Sequence, residues 1–188
     1  MKKFVIIICS IITALFAFTF VGCGVNEPKV WQSQDNPNVM ICDSLVPKPN
    51  KINIYNDGKS EVLEKTTEEF NNFWSAVNNL FNGDVKLEYL DGFLSSDSVS
   101  YEKSTVKCFE FIYDGIYQVE NRGNMFNGVF FSFEEHNLVF GYYTVNENGE
   151  YNVDTVDGQE IIIYSATYGV SMSKYRSKIN KISNLIDL

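Results

Sequence analysis

Hydrophobic residues change their spacing several times along this chain, and each change marks an element. Phe4 to Val21 is a mostly apolar run without a charged side chain, and Met1-Lys2-Lys3 precedes it. A short cationic start and an apolar run have the form of an export signal. Past residue 50 the period becomes two. Lys51-Ile52-Asn53-Ile54-Tyr55 alternates polar with apolar, Asn56-Asp57-Gly58 turns, and Lys59 to Leu63 leads away. Asp-Gly between such runs predicts a hairpin, because the tight turn requires positive φ. The period then lengthens: Phe70, Phe73, Trp74, Val77, Leu80 and Phe81 recur at helical intervals. Thr66 and Glu69 have capping-box spacing before them, and Asn82-Gly83 suits a left-handed stop after them. This predicts a helix over about 66–82 whose broad apolar stripe faces a core.

From Val85 the alternation returns, first in Val85 to Leu90. Ser95-Ser96-Asp97-Ser98-Val99-Ser100 reads as a loop, and Val106 to Val119 as one or two strands broken at Asp114-Gly115. Gly128 to Phe133 and Leu138 to Tyr143 predict a hairpin around Glu135-His136-Asn137. Asn148-Gly149 and Asp157-Gly158 then bracket Tyr151 to Val156, with Gln159 to Ala166 following. Strands joined by such short turns run antiparallel, since parallel pairs need long crossovers. Met172, Tyr175, Ile179, Ile182 and Ile186 form a narrow helical seam flanked by Lys174, Arg176, Lys178 and Lys181. Packing on the sheet is the expectation for this C-terminal helix, about 172–187, with a membrane-surface or partner-binding helix as the alternative. The fold class is therefore α+β: an antiparallel meander sheet with a packed amphipathic helix and a C-terminal helix, as one domain over 50–188. Helix followed by meander looks like cystatin-like or NTF2-like folds in outline, without a motif that would lend a function.

The front of the chain supplies an address. The apolar run ends in Phe20-Val21-Gly22-Cys23-Gly24 instead of a basic stop-transfer cluster. That stretch resembles the lipobox of bacterial lipoproteins, departing from its commonest form at Phe20, where an aliphatic residue is usual. The resemblance implies a signal peptide over residues 1–22 and diacylglycerol attachment at Cys23. It also implies that the membrane partner is met through an N-terminal lipid, on the extracytoplasmic face of the cell membrane. All four prolines fall between Pro28 and Pro49, so residues 23–49 read as an attachment cysteine and an extended tether. As a flexible coil, residues 24–49 would span on the order of 28 Å. Within the tether, Val39-Met40-Ile41-Cys42 has the pattern of a strand that docks at an edge.

Charge and candidate chemistry narrow the function only by exclusion. Net charge is −9, and losing residues 1–22, with Lys2 and Lys3 and no acid, makes it −11. That excludes nucleic acid, whose binding rests on phosphate neutralisation by Lys and Arg, and argues against the body lying flat on anionic lipid. Cys42 and Cys108 are candidates for one disulfide outside the cytoplasm, with buried free thiols as the alternative. The only histidine, His136, sits beside Glu134 and Glu135, and an exposed turn residue explains it better than a general base. Asn146, Asn148, Glu150, Asp154, Asp157 and Glu160 lack the order of a calcium loop, so no metal site is expected, and no cofactor either. Aromatic residues make up 15% of the chain. Trp31, Tyr142 and Tyr143 are candidates for ligand contact, since one of the adjacent tyrosines could be exposed. The expectation is a lipid-anchored, non-catalytic binding or interaction module. Its rivals are a small exported envelope hydrolase with paired carboxylates and a small-ligand-binding transport accessory.

Overall fold

The computed structural model describes residues 27–82 and 85–187. The signal peptide and Cys23 lie outside the described residues. The first predicted hairpin forms as β3 (Lys51–Asn56) and β4 (Lys59–Glu64). Asp57 and Gly58 both take positive φ, 51° and 74°, which is what a two-residue turn needs to match strand twist. The helix α1 (Glu68–Phe81) follows, and its N-cap is Thr67, one residue later than the predicted Thr66. The Thr67 hydroxyl accepts from the Phe70 backbone N–H at 3.1 Å.

The remaining strands are β1 (Val30–Gln32), β2 (Val39–Cys42), β5 (Leu87–Ser95), β6 (Cys108–Val119), β7 (Met125–Phe133), β8 (Asn137–Val145), β9 (Val153–Val156) and β10 (Gln159–Ser171). Their order is β1-β2-β6-β7-β8-β10-β5, with β3 also on β6, β4 on β3, and β9 on β10. The stretch β6-β7-β8 is the predicted meander. Two placements depart from it. Strand β2 runs parallel to the second half of β6, while β3 runs antiparallel to its first half, so one edge of β6 is shared by two strands. Strand β5 lies at the far side of the sheet, against β10.

Because β4 and β5 sit on opposite sides, the chain must cross the sheet, and it must cross back to reach β6. Helix α1 makes the first crossing on one face, where Phe73 meets Phe109 at 4.9 Å, Trp74 meets Phe111 at 5.9 Å and Phe81 meets Phe140 at 5.3 Å between ring centroids. A second helix, α2 (Ser96–Thr105), makes the return on the other face, where a loop was expected. The expected loop is helical because Ser95 and Ser98 form a reciprocal capping box with each other's backbone N–H. Serine in place of the usual Glu or Gln at the third position hides that signal. Helix α3 (Met172–Asn184) lies beside α1, with Ile179 and Ile182 in the same core and the Lys178 ammonium donating to the Asn79 carbonyl at 2.6 Å.

The tether is shorter than the prolines suggest. Val39, Cys42 and Val46 are buried, and Tyr113 and Tyr142 donate through their hydroxyls to the carbonyls of Pro47 and Leu45 at 2.9 and 3.0 Å. Residues 30–49 thus belong to the body. An X-Pro stretch cannot supply a ladder, but its carbonyls still accept hydrogen bonds, and two core tyrosines use them.

The disulfide expectation is corrected here. Cys42 is paired in register with Val119, at one end of β6, and Cys108 opens the other end. At strand rise these positions are on the order of 30 Å apart, whereas a disulfide needs Cα atoms within about 7 Å. Both cysteines are free and buried, and burial pushes their thiols up, to about 11 for Cys42 and about 12 for Cys108. Neither Cys42 nor Cys108 should therefore react with a thiol reagent at neutral pH until denaturant is added, when both should. Mass-resolved alkylation checks this, and a Cys42–Cys108 cross-linked peptide would contradict the fold.

Candidate binding site beneath the second helix

Strand alternation sends Phe109, Phe111 and Tyr113 to the face covered by α1, and Cys108, Glu110 and Ile112 to the face covered by α2. Glu110 is the one charged side chain of that run, and it is 4% exposed. One of its oxygens accepts from the Asn53 amide and the Tyr55 hydroxyl, both at 2.7 Å. The other accepts from the Tyr143 hydroxyl at 2.6 Å and the Lys103 ammonium at 2.8 Å. A carboxylate offers about four lone-pair sites, and here all are used. Burial alone would push the Glu110 carboxyl up; the hydrogen bonds from Asn53, Lys103 and Tyr143 outweigh it and hold the group below its usual range. Lys103 comes from α2, and its ammonium also lies 4.9 Å from the Tyr55 ring centroid.

Tyr143 reaches Glu110 from two strands away, across β7. It can do so because the residue beneath its ring is Gly128. A Cβ added there would stand 2.4 Å from the Tyr143 ring. The alternating strand Gly128 to Phe133 therefore begins with a glycine chosen for space, since no turn lies there.

Beside this network a cavity of about 350 Å³ opens between α2, β5, β7 and β8. Leu90, Leu94, Phe130 and Val139 give it apolar walls. Glu102 enters it from α2, with one carboxyl oxygen buried and unpartnered. Burial pushes this carboxyl up, a hydrogen bond from Ser132 opposes the shift, and the charge of Glu134 adds to it. A smaller cavity, about 250 Å³, lies near Lys103, Tyr143 and Tyr164.

The residues singled out in the sequence lie elsewhere. Tyr142 and Tyr143 do point to opposite faces, but both are buried, at 4% and 6% exposure. The expectation that one meets solvent is corrected, because Tyr142 lies against the Leu45 segment and the aromatic core, while Tyr143 is enclosed with Glu110 and Val99 of α2. Trp31 is 40% exposed, on β1. His136 stands at the β7–β8 turn with its side chain 82% exposed. Asn146 spends its side chain within a turn, accepting from the backbone of Asn148 and Glu150 and donating to the Glu150 carboxylate at 2.8 Å. Among the described residues, no three His, Cys, Asp or Glu side chains gather as metal ligands would. Glu110, Lys103, Asn53, Tyr55, Gly128 and Glu102 escaped sequence reasoning. The one available signal was a lone acid inside the apolar run from Cys108 to Ile112.

Comparison with protein-family models, with curated proteins and with solved structures returns no match.

Two substitutions test the Glu110 network. Glu110→Gln should cost about 3 kcal/mol, as breaking a buried charge pair does, and Gly128→Ala about 1–3 kcal/mol, as overpacking does. The folded carboxyl of Glu110 is held below its ordinary value of 4.5. Its contribution is therefore present above pH 4.5 and lost as pH falls through the folded value. Urea unfolding across pH should show the gap between wild type and Glu110→Gln closing on acidification; a gap that widens would contradict a charged Glu110.

Proposed function

We propose that this chain is a lipid-anchored extracytoplasmic binding module that holds a small ligand in the cavity beside α2. The observation behind the proposal is the cavity itself: apolar walls, about 350 Å³ of space, and an unpartnered carboxyl oxygen of Glu102 inside it. Ligand sites of this size are commonly apolar with a few polar groups that orient the guest. A binding role is favoured over catalysis by Glu110, the most buried acid among the described residues. With four donors on it, that carboxylate has no site left to take or give a proton.

The anchor rests on the lipobox resemblance at Cys23. Only seven residues, Cys23 to Lys29, precede β1, and even fully extended they reach about 25 Å at most. The body would thus ride close to the bilayer. Its acidic surface favours an orientation set by the leash over adhesion to anionic lipid.

A small envelope hydrolase is the second reading. It is favoured by Glu102 and Glu134 lining the same cavity, with the Glu102 carboxyl pushed up by burial as a general acid would need. The apolar walls suit it less well, because polar envelope substrates need hydrogen-bonding walls.

Both halves of the proposal can be measured. Metabolic labelling with an alkyne fatty acid should mark the wild-type chain and not Cys23→Ala; an unlabelled wild type removes the anchor. Ligand-observed NMR of the full chain against a mixed fragment library should give saturation transfer that Thr167→Trp, which fills the cavity rim, abolishes. Fragment signals indifferent to Thr167→Trp would remove the cavity as the site.

A further inference from the structure

We infer that the cavity beside α2 is a site for a small organic cation, an ammonium group carried on an apolar body. This rests on the reading of the cavity as the binding site and names the class of guest.

The charge pattern around the cavity points one way. Among the described residues that line it, two are glutamates, Glu102 and Glu134, and none is Lys, Arg or His. The nearby cations are already engaged: Lys103 pairs with Glu110 and Lys107 with Asp187. Glu102 therefore has no cation of its own, and one of its oxygens is buried without a hydrogen-bond donor. A buried acceptor left unpaired costs stability. A guest that brings N–H donors and a positive charge supplies both missing things at once.

The remaining walls select the body of that guest. Leu90, Leu94 and Val139 offer aliphatic contact, and Phe130 adds an aromatic ring, a group that attracts a cation electrostatically. Ser132, on β7, places a hydroxyl on the polar side, and Ser98 stands one helix turn before Glu102 on the same face. An anion would meet two carboxylates and no counter-charge. A fully polar cation would leave the apolar walls unused. An amine on a short hydrocarbon or aromatic stem satisfies both sides.

Phenethylammonium and its neutral isostere 2-phenylethanol separate the charge from the shape. With the full chain in nonionic detergent and a detergent blank subtracted, calorimetric titration at pH 7.5 should give at least tenfold tighter binding for the amine. Glu102→Gln should bring the two affinities within about twofold, since it keeps the shape and removes the charge. The same variant should unfold at or above the wild-type midpoint, because it removes a buried unpaired charge. A lost preference therefore cannot be ascribed to misfolding. Equal affinities in wild type, or a preference that survives Glu102→Gln, overturn the cation assignment while leaving the cavity as a site. Binding of neither probe overturns the assignment too; if library fragments still bind and Thr167→Trp blocks them, the cavity reading survives, and otherwise both fall.

Discussion

A carboxylate kept ionised inside a sheet makes demands on everything around it. Glu110 would lose several kcal/mol on leaving water alone, so β3, β8 and α2 must each deliver donors to one point on β6. Asn53 and Tyr55 fix the register of β3, Tyr143 requires a glycine on the intervening strand, and Lys103 sets where α2 lies. Once Lys103 holds α2 over Glu110, Glu102 is carried over the β7–β8 side, and the cavity there is the space left between helix and sheet. The opposite face needs no such device. There, Phe109 stacks on Phe131 at 4.4 Å, and burying each ring stabilises the fold by about 1.5–3 kcal/mol without regard to direction.

What was legible in the sequence is what is decided locally. Asp57-Gly58 and Asp157-Gly158 make turns at the predicted places, with φ positive at all four residues. Helix α1 carries its apolar stripe into the core, and α3 packs beside it instead of standing free. What was not legible is decided between residues far apart. No local pattern says that β5 pairs with β10 across the sheet, or that β2 runs parallel to β6. Helix α2 was hidden for a third reason: it buries only Val99 on a polar surface, so its periodicity is nearly silent.

The site shares that obscurity. Alternation correctly sends Tyr142 and Tyr143 to opposite faces, yet exposure depends on whether a second layer covers the sheet. A helix that looked like a loop could not announce itself as that layer. Glu102 looked like any surface acid because the strands that enclose it, β5, β7 and β8, come together only in the folded chain. The cysteines teach the same lesson in reverse: Cys42 and Cys108 could be paired on paper because the length of β6 between them was unknown.

The shared edge of β6 also bears on the order of folding. Strand β2 aligns Val39 with Ile116, more than seventy residues onward, while β3 meets its partner β4 across a two-residue turn. Closing the longer loop costs more chain entropy, and distant pairings of this kind slow the search. The β3–β4 hairpin can assemble as it emerges, but β2, paired locally only with the three-residue β1, joins the sheet only once β6 is in place. In a chain that emerges N-terminus first, this early segment would be among the last to lock, and Tyr113 and Tyr142 would close over Leu45 and Pro47 as a final latch.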